Sequence, residues 1–177
     1  PHEVKLSPDG KVLFVANDTL DIYNISNPTN MELISSLKTK CSASSLQFTS
    51  DSNRILLVGA SYEEGVKIDE VDISKYSSPF IRKSYQLGYK MTKMAHFIAA
   101  SPGQTRHFIL ASSDETHIGL LTFDDTQKTL TKNPGTLIRD TYALDFSKDG
   151  KSIITASNKQ VMVFEFSQDY PSKEVFD

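Results

Sequence analysis

Apolar and polar residues alternate along this chain in short runs, each closed by a cluster of turn-forming residues. The first run reads Val4-Lys5-Leu6, turns through Ser7-Pro8-Asp9-Gly10, and continues as Val12-Leu13-Phe14-Val15-Ala16. Alternation with a period of two places every second side chain on one face of a strand, so this pattern predicts a hairpin with a buried face. The turn chemistry agrees. Pro sets the first central dihedral, Asp holds the local backbone, and Gly takes a positive φ without a Cβ clash.

Three more segments repeat the pattern. They are Leu46-Gln47-Phe48 with Ile55–Gly59, Ile98-Ala99-Ala100 with His107–Ala111, and Leu144-Asp145-Phe146 with Ser152–Ala156. Their turns are Thr49–Asn53, Ser101–Thr105 and Ser147–Gly150. The small residues Ala16, Gly59, Ala111 and Ala156, read as one column, stand 43, 52 and 45 positions apart. Small side chains there would let neighbouring sheets approach closely. A third strand is predicted in each segment over Leu20–Ser26, Val66–Ser74, Ile118–Asp124 and Gln160–Ser167. A more polar fourth is expected over Met31–Leu37, Phe80–Leu87, Thr129–Leu137 and Glu174–Phe176, as suits a solvated edge. No long stretch carries helical spacing. A period in the forties is that of β-propeller blades. The expected fold is therefore all-β: a propeller of four-stranded antiparallel blades, four of them visible, within units 1–39, 40–89, 90–140 and 141–177 of a single region.

Leu20-Asp21-Ile22-Tyr23-Asn24-Ile25-Ser26-Asn27-Pro28 resembles an LVIVD-type repeat, and Val71-Asp72-Ile73-Ser74 with Pro79 is a looser copy. The run Ser7-Pro8-Asp9-Gly10-Lys11 with Phe14-Val15-Ala16-Asn17 is similar to strands of WD-repeat and lactonase-type propellers. The chain has no Trp, so the Trp-Asp dipeptide of WD repeats is missing. Four units sit at the low end of closed rings, and the chain is expected to form part of a larger one.

Composition narrows the function. A formal charge of −3 and scattered lysines argue against nucleic-acid binding. No apolar run approaches the roughly 18 residues that a membrane helix needs, so no membrane insertion is expected. The single cysteine, Cys41, permits neither an intrachain disulfide nor a cysteine zinc cluster and is read as structural; a cytoplasmic location is expected. His107 and His117 lack metal-pair spacing. The acidic clusters Glu63-Glu64, Asp69-Glu70, Asp114-Glu115 and Asp124-Asp125 lack the EF-hand pattern. No catalytic or phosphate-binding motif is present.

One constellation stands out. His2, Ser44, His96 and Tyr142 each lie two residues before Val4, Leu46, Ile98 and Leu144 in the four first strands. First strands line the channel of a propeller, so these residues are expected near one channel mouth, as partner contacts or as ordinary solvated polar groups. Two imidazoles fall short of the three protein ligands of a catalytic zinc, and no metal, cofactor or catalytic residue is assigned. The leading expectation is a non-catalytic scaffold that binds other proteins within a larger assembly, through loops held on a stiff frame. The alternatives are a lactonase-like hydrolase with a channel-mouth site, which the resemblance implies, and a secreted or surface recognition propeller.

Overall fold

The computed structural model describes residues 3–40, 42–49, 51–61, 65–86, 96–100, 106–112, 118–124, 129–137, 141–147, 152–157, 161–167 and 170–176. Every regular element among them is a β-strand. The strands form four antiparallel sheets, and in each the spatial order follows the chain. Sheet 1 holds β1 (Glu3–Leu6), β2 (Val12–Ala16), β3 (Thr19–Asn24) and β4 (Glu32–Lys38). Sheet 2 holds β5 (Ser42–Phe48), β6 (Arg54–Ser61), β7 (Gly65–Asp72) and β8 (Phe80–Gln86). Sheet 3 holds β9 (His96–Ala100), β10 (Arg106–Ser112), β11 (Ile118–Asp124) and β12 (Thr129–Leu137). Sheet 4 holds β13 (Thr141–Phe146), β14 (Ser152–Ser157), β15 (Val161–Ser167) and β16 (Tyr170–Phe176), the last longer than the sequence pattern suggests. The chain divides into two compact units, Pro1–Met91 with sheets 1 and 2, and Thr92–Asp177 with sheets 3 and 4.

One hydroxyl organises the repeated turn. The Ser7 N–H donates to the Val12 carbonyl at 2.8 Å, and the Val12 N–H donates to Ser7 Oγ at 2.9 Å. Ser7 Oγ donates to Asp9 Oδ1 at 2.6 Å, and Gly10 takes φ +70°. Sheet 2 repeats this with Thr49, Asp51 and Arg54: the Thr49 N–H reaches the Arg54 carbonyl at 3.0 Å, and Thr49 Oγ1 donates to Asp51 at 2.7 Å. Ser52 stands where sheet 1 has Gly10, at φ +55°. In sheet 4 the Ser147 N–H bonds the Ser152 carbonyl at 2.9 Å, and Ser152 donates back to Ser147 Oγ.

These turns fix which residues are equivalent. Ser7, Thr49 and Ser147 correspond, so Val12 matches Arg54 and Ser152, and Phe14 matches Leu56 and Ile154. Ala16 then matches Val58, not Gly59. The small-residue column of the sequence pattern is therefore one position out in sheet 2. It is also out in sheet 3, where Ile98 opposes Ile109 as Val4 opposes Val15. Counted from that pair, Ala111 lies two positions on, while Ala16 lies one. Backbone hydrogen bonds at the turn, not the size of a side chain, set the register.

Each sheet has two distinct faces, because side chains alternate along a strand. In sheet 1 the leading face carries Glu3 and Lys5 on β1, Phe14 and Ala16 on β2, and Leu20 and Ile22 on β3. The trailing face carries Val4, Leu6, Leu13, Val15 and Tyr23. The leading face of sheet 1 packs on the trailing face of sheet 2. Phe14, Ala16, Leu20 and Ile22 form one buried core with Leu46, Ile55, Leu57, Val71 and Ile73. Phe14 sits edge-on to Phe48, with ring centroids 5.3 Å apart, and to Tyr76 at 5.7 Å. Each such aromatic pair contributes about 0.5–1.5 kcal/mol beyond its buried area.

Polar contacts join the same two sheets. Glu3 Oε2 accepts the Leu46 N–H at 2.6 Å, and Lys5 Nζ donates to the Leu46 carbonyl at 3.4 Å and to Gln47 Oε1. Ser35 Oγ donates to the Tyr76 carbonyl at 2.6 Å. Glu3 thus turns toward β5, the direction that alternation predicts for it.

Candidate functional site

Of the four aligned residues, His2 lies outside the described residues. Ser44, His96 and Tyr142 stand in first strands, at or near the N-terminal ends of β5, β9 and β13. Their backbones share a feature that the sequence does not announce. On β5, Ala43 opposes Gly59 and Ser45 opposes Val58, so Ser44 is an extra residue with no cross-strand partner. On β13, Thr141 opposes Ser157 and Ala143 opposes Ala156, so Tyr142 is extra in the same way. Turn equivalence places the two bulges at one and the same position of their sheets. His96 differs: it opens β9 in regular register, opposite Ala111. A β-bulge bends its strand, interrupts the ladder and re-aims a side chain, and it recurs at sheet rims and beside functional sites. Two bulges at equivalent positions mark this end of the first strands as the place where the repeat departs from plain pairing.

A second polar cluster lies in the outer half of sheet 2, and only its acidic half is visible as a sequence run. Arg54 Nη1 donates to Glu70 Oε1 at 2.6 Å, and Nη2 donates to Asp51 Oδ2 at 3.0 Å. Glu70 is buried, and cross-strand pairing sets Arg54 opposite Asp72. Burial alone would lower the Arg54 pKa, but Glu70 and Asp51 outweigh it and hold the guanidinium charged. Burial likewise raises Asp51, yet donation from Thr49, Arg54 and the Asn53 N–H brings it down to about 2. Tyr85 is pushed up by burial and by the Glu70 charge, and Lys83 Nζ lies 4.4 Å from its ring centroid. A network so closed on itself fits the role of a structural clasp between β6, β7 and β8.

Asp69 is the other buried carboxylate among the described residues. Its Oδ2 accepts the Lys40 N–H at 3.2 Å, while Oδ1 finds no hydrogen-bond partner in the structure. It ties the link between β4 and β5 down onto β7. Among the described residues no group of three or more His, Cys, Asp or Glu could hold a metal ion. No helix among them is long and apolar enough to cross a membrane. Cys41, Glu63-Glu64, His117 and Asp114-Glu115 lie outside the described residues.

The comparisons bear on this arrangement. The model of the LVIVD repeat matches residues 4–39, which are sheet 1 and the start of the link that follows it. Among solved structures, a Bacteroides fragilis protein assigned as a 6-phosphogluconolactonase aligns over 99% of this chain and 53% of its own, with a TM-score of 0.73 and 18% identity. The fold is that of a divergent β-propeller repeat protein. Its four sheets are blades. A periplasmic gluconolactonase of Pseudomonas aeruginosa aligns over 98% of the chain and 52% of its own (TM-score 0.70, 14% identity). Kuenenia stuttgartiensis hydrazine synthase does so over 99% and 49% (TM-score 0.76, 16% identity). No curated protein matches the chain in sequence. The chain spans about half the length of the propellers it matches.

These neighbours correct the leading functional expectation. A non-catalytic protein-binding scaffold finds no support among them, whereas lactonase names recur across matches to nearly the whole chain. The scaffold expectation rests on loops held by a stiff frame, and that is a weak guide, because one fold presents such loops whether or not it carries a catalytic site.

Proposed function

We propose that this chain supplies blades of a lactonase-like propeller hydrolase that opens the internal ester of a sugar lactone. The observation that carries this reading is the recurrence of lactonase names among propellers that align with 97–99% of the chain. One fold hosts many chemistries, as the hydrazine synthase among the neighbours illustrates, so the reading needs residues to act.

The reaction asks for modest equipment. Water adds to the lactone carbonyl, the ring C–O bond breaks, and the departing alkoxide takes up a proton to give the hydroxy acid. His2 and His96 bring imidazoles, the side chain best suited to exchanging protons near neutral pH. Ser44 and Tyr142, at the two bulges, bring O–H donors of the kind that stabilise a developing oxyanion. The described residues offer no metal-ligand cluster, and no step is routed through a metal.

The test is titration of acid release from gluconolactone and its 6-phosphate by the whole chain, against the buffer rate. Acceleration is expected, and His96→Ala is expected to reduce it by about 10²–10⁴-fold, the usual worth of a positioned acid or base. Folded protein that leaves both lactones at the buffer rate overturns the proposal.

A further inference from the structure

The repeat sets one aspartate and one serine opposite each other in both of the first two blades. Val12 matches Arg54, so Val15 matches Leu57. Val15 opposes Asp21 and Leu57 opposes Asp69, which makes the two aspartates equivalent. Asp21 in turn opposes Ser36, and Asp69 opposes Ser84. Residues paired this way lie on one face of a sheet, with Cβ atoms about 4.5–5.5 Å apart. In blade 1 the two side chains meet directly, as Ser36 Oγ donates to Asp21 Oδ1. In blade 2 they stay apart. Asp69 Oδ1 and Ser84 Oγ are both buried, and neither has a hydrogen-bond partner. Asp69 is fully buried, on the face of blade 2 that packs on blade 1. Only its Oδ2 is met, by the Lys40 N–H at 3.2 Å.

We propose that Asp69 Oδ1 and Ser84 Oγ are ligands of one alkali cation, sodium or potassium, held inside the seam between blades 1 and 2. Three observations select this guest. The first is charge. An ionised carboxyl taken out of water is costly unless a positive charge accompanies it. Among the described residues the ion pairs run from Arg54 to Asp51 and Glu70, and no Lys, Arg or His forms one with Asp69. A water molecule meets two such oxygens without balancing the charge. The second is donor chemistry. Both unmet atoms are oxygens, which hard cations take as ligands, with backbone carbonyls and water completing the shell. The third is number. Among the described residues Asp69 belongs to no group of three or more His, Cys, Asp or Glu that could hold a metal ion. A single carboxylate suits a monovalent ion and leaves a divalent one short of charge. The ion joins β7 to β8 and, through the carboxyl that also holds Lys40, fastens the link between the two blades. A guest that binds only the folded chain stabilises it further as its concentration rises.

The test is thermal unfolding of the whole chain in sodium, potassium or choline chloride at equal ionic strength, with calcium chloride as a fourth salt. Sodium or potassium is expected to raise Tm above its value in choline by about 2–4 °C once the ion stands at about five times its dissociation constant. Asp69→Asn and Ser84→Ala are each expected to remove that difference. The first variant keeps an oxygen for the Lys40 N–H, and Ser84 is half-buried, so both are expected to fold. Asp21→Asn, at the equivalent pair that closes on itself, is expected to leave the difference unchanged. A crystal soaked in rubidium chloride is expected to show anomalous density between Asp69 Oδ1 and Ser84 Oγ. Equal Tm in choline and in both alkali salts overturns the proposal. So does a salt response that survives Asp69→Asn, or a larger response to calcium than to either alkali ion. A crystal in which the two oxygens hold only water, or bond each other, overturns it as well. None of these readouts depends on lactone hydrolysis.

Discussion

Phe14→Ala tests how far the first two blades depend on one ring. Phe14 is fully buried, and it reaches from the leading face of blade 1 to two aromatic rings of blade 2 at 5.3 and 5.7 Å, with interplanar angles of 87° and 78°. Truncating a buried Phe to Ala costs about 3–5 kcal/mol, through lost transfer energy and the cavity left behind. Part of that loss belongs to the edge-to-face pairs, at about 0.5–1.5 kcal/mol each. Whole-domain stabilities are about 5–15 kcal/mol, so the variant forfeits a large share of what holds this seam. Hydrogen exchange read on peptides from β2, β6 and β7 is the appropriate assay, because a chain with two compact units need not unfold in one step. The expected result is faster exchange in all three strands together, equivalent to a loss of about 3–5 kcal/mol. A double-mutant cycle of Phe14→Leu with Phe48→Leu is expected to give a coupling of about 0.5–1.5 kcal/mol. A Phe14→Ala cost below about 1 kcal/mol, or exchange that quickens in β2 alone, would refute the claim that these blades share one core.

Other outcomes follow from the turns. Gly10→Ala meets no atom within 4 Å but must hold φ +70°, so thermal or denaturant unfolding is expected to show a loss of about 1 kcal/mol from backbone strain. Ser52→Gly relieves the same strain at φ +55°, and is expected to raise stability by about 0.5 kcal/mol after the extra chain entropy of glycine is set against it. Hydrogen bonds from Thr49, Arg54 and Asn53 hold the Asp51 carboxyl down to about 2 in the folded chain, below the ordinary aspartate value of 3.8, so the unfolded chain binds the proton more readily. Its stabilisation is complete above the unfolded value and is lost as pH falls toward 2. With the side chain 44% exposed, solvent screening holds the effect to about 1 kcal/mol. Unfolding of Asp51→Asn compared with the parent at pH 6 and at pH 2 checks this, with the difference expected to vanish at the lower pH.

The blade was legible in the sequence because its strongest signals are local. Ser7-Pro8-Asp9-Gly10 encodes a turn whose hydrogen bonds need only its own residues and Val12. The alternation in Leu20-Asp21-Ile22 encodes a strand with one buried face. What failed was the step from pattern to register. Ala16 and Gly59 look alike as small residues, yet the turn at Thr49–Arg54 places Val58, not Gly59, beside Ala16's equivalent partners. The bulges at Ser44 and Tyr142 were invisible for a related reason. An extra residue in one strand is defined only against its partner, and neither residue type announces it. Arg54 escaped notice because a lone arginine in an apolar run gives no hint that Glu70, sixteen residues on, lies across the ladder from its neighbours.

Strand order that follows chain order has a consequence for how this protein is made. Every pairing joins a strand to the next one synthesised, so each sheet is a chain of hairpins with short loops to close and little entropy to overcome. A sheet can form as soon as its last strand leaves the ribosome, before its neighbour exists. Sheet 1 then holds Phe14, Leu20 and Ile22 bare until sheet 2 arrives to cover them. The order of synthesis therefore becomes an order of assembly, in which the finished first blade offers its leading face as the template for the second.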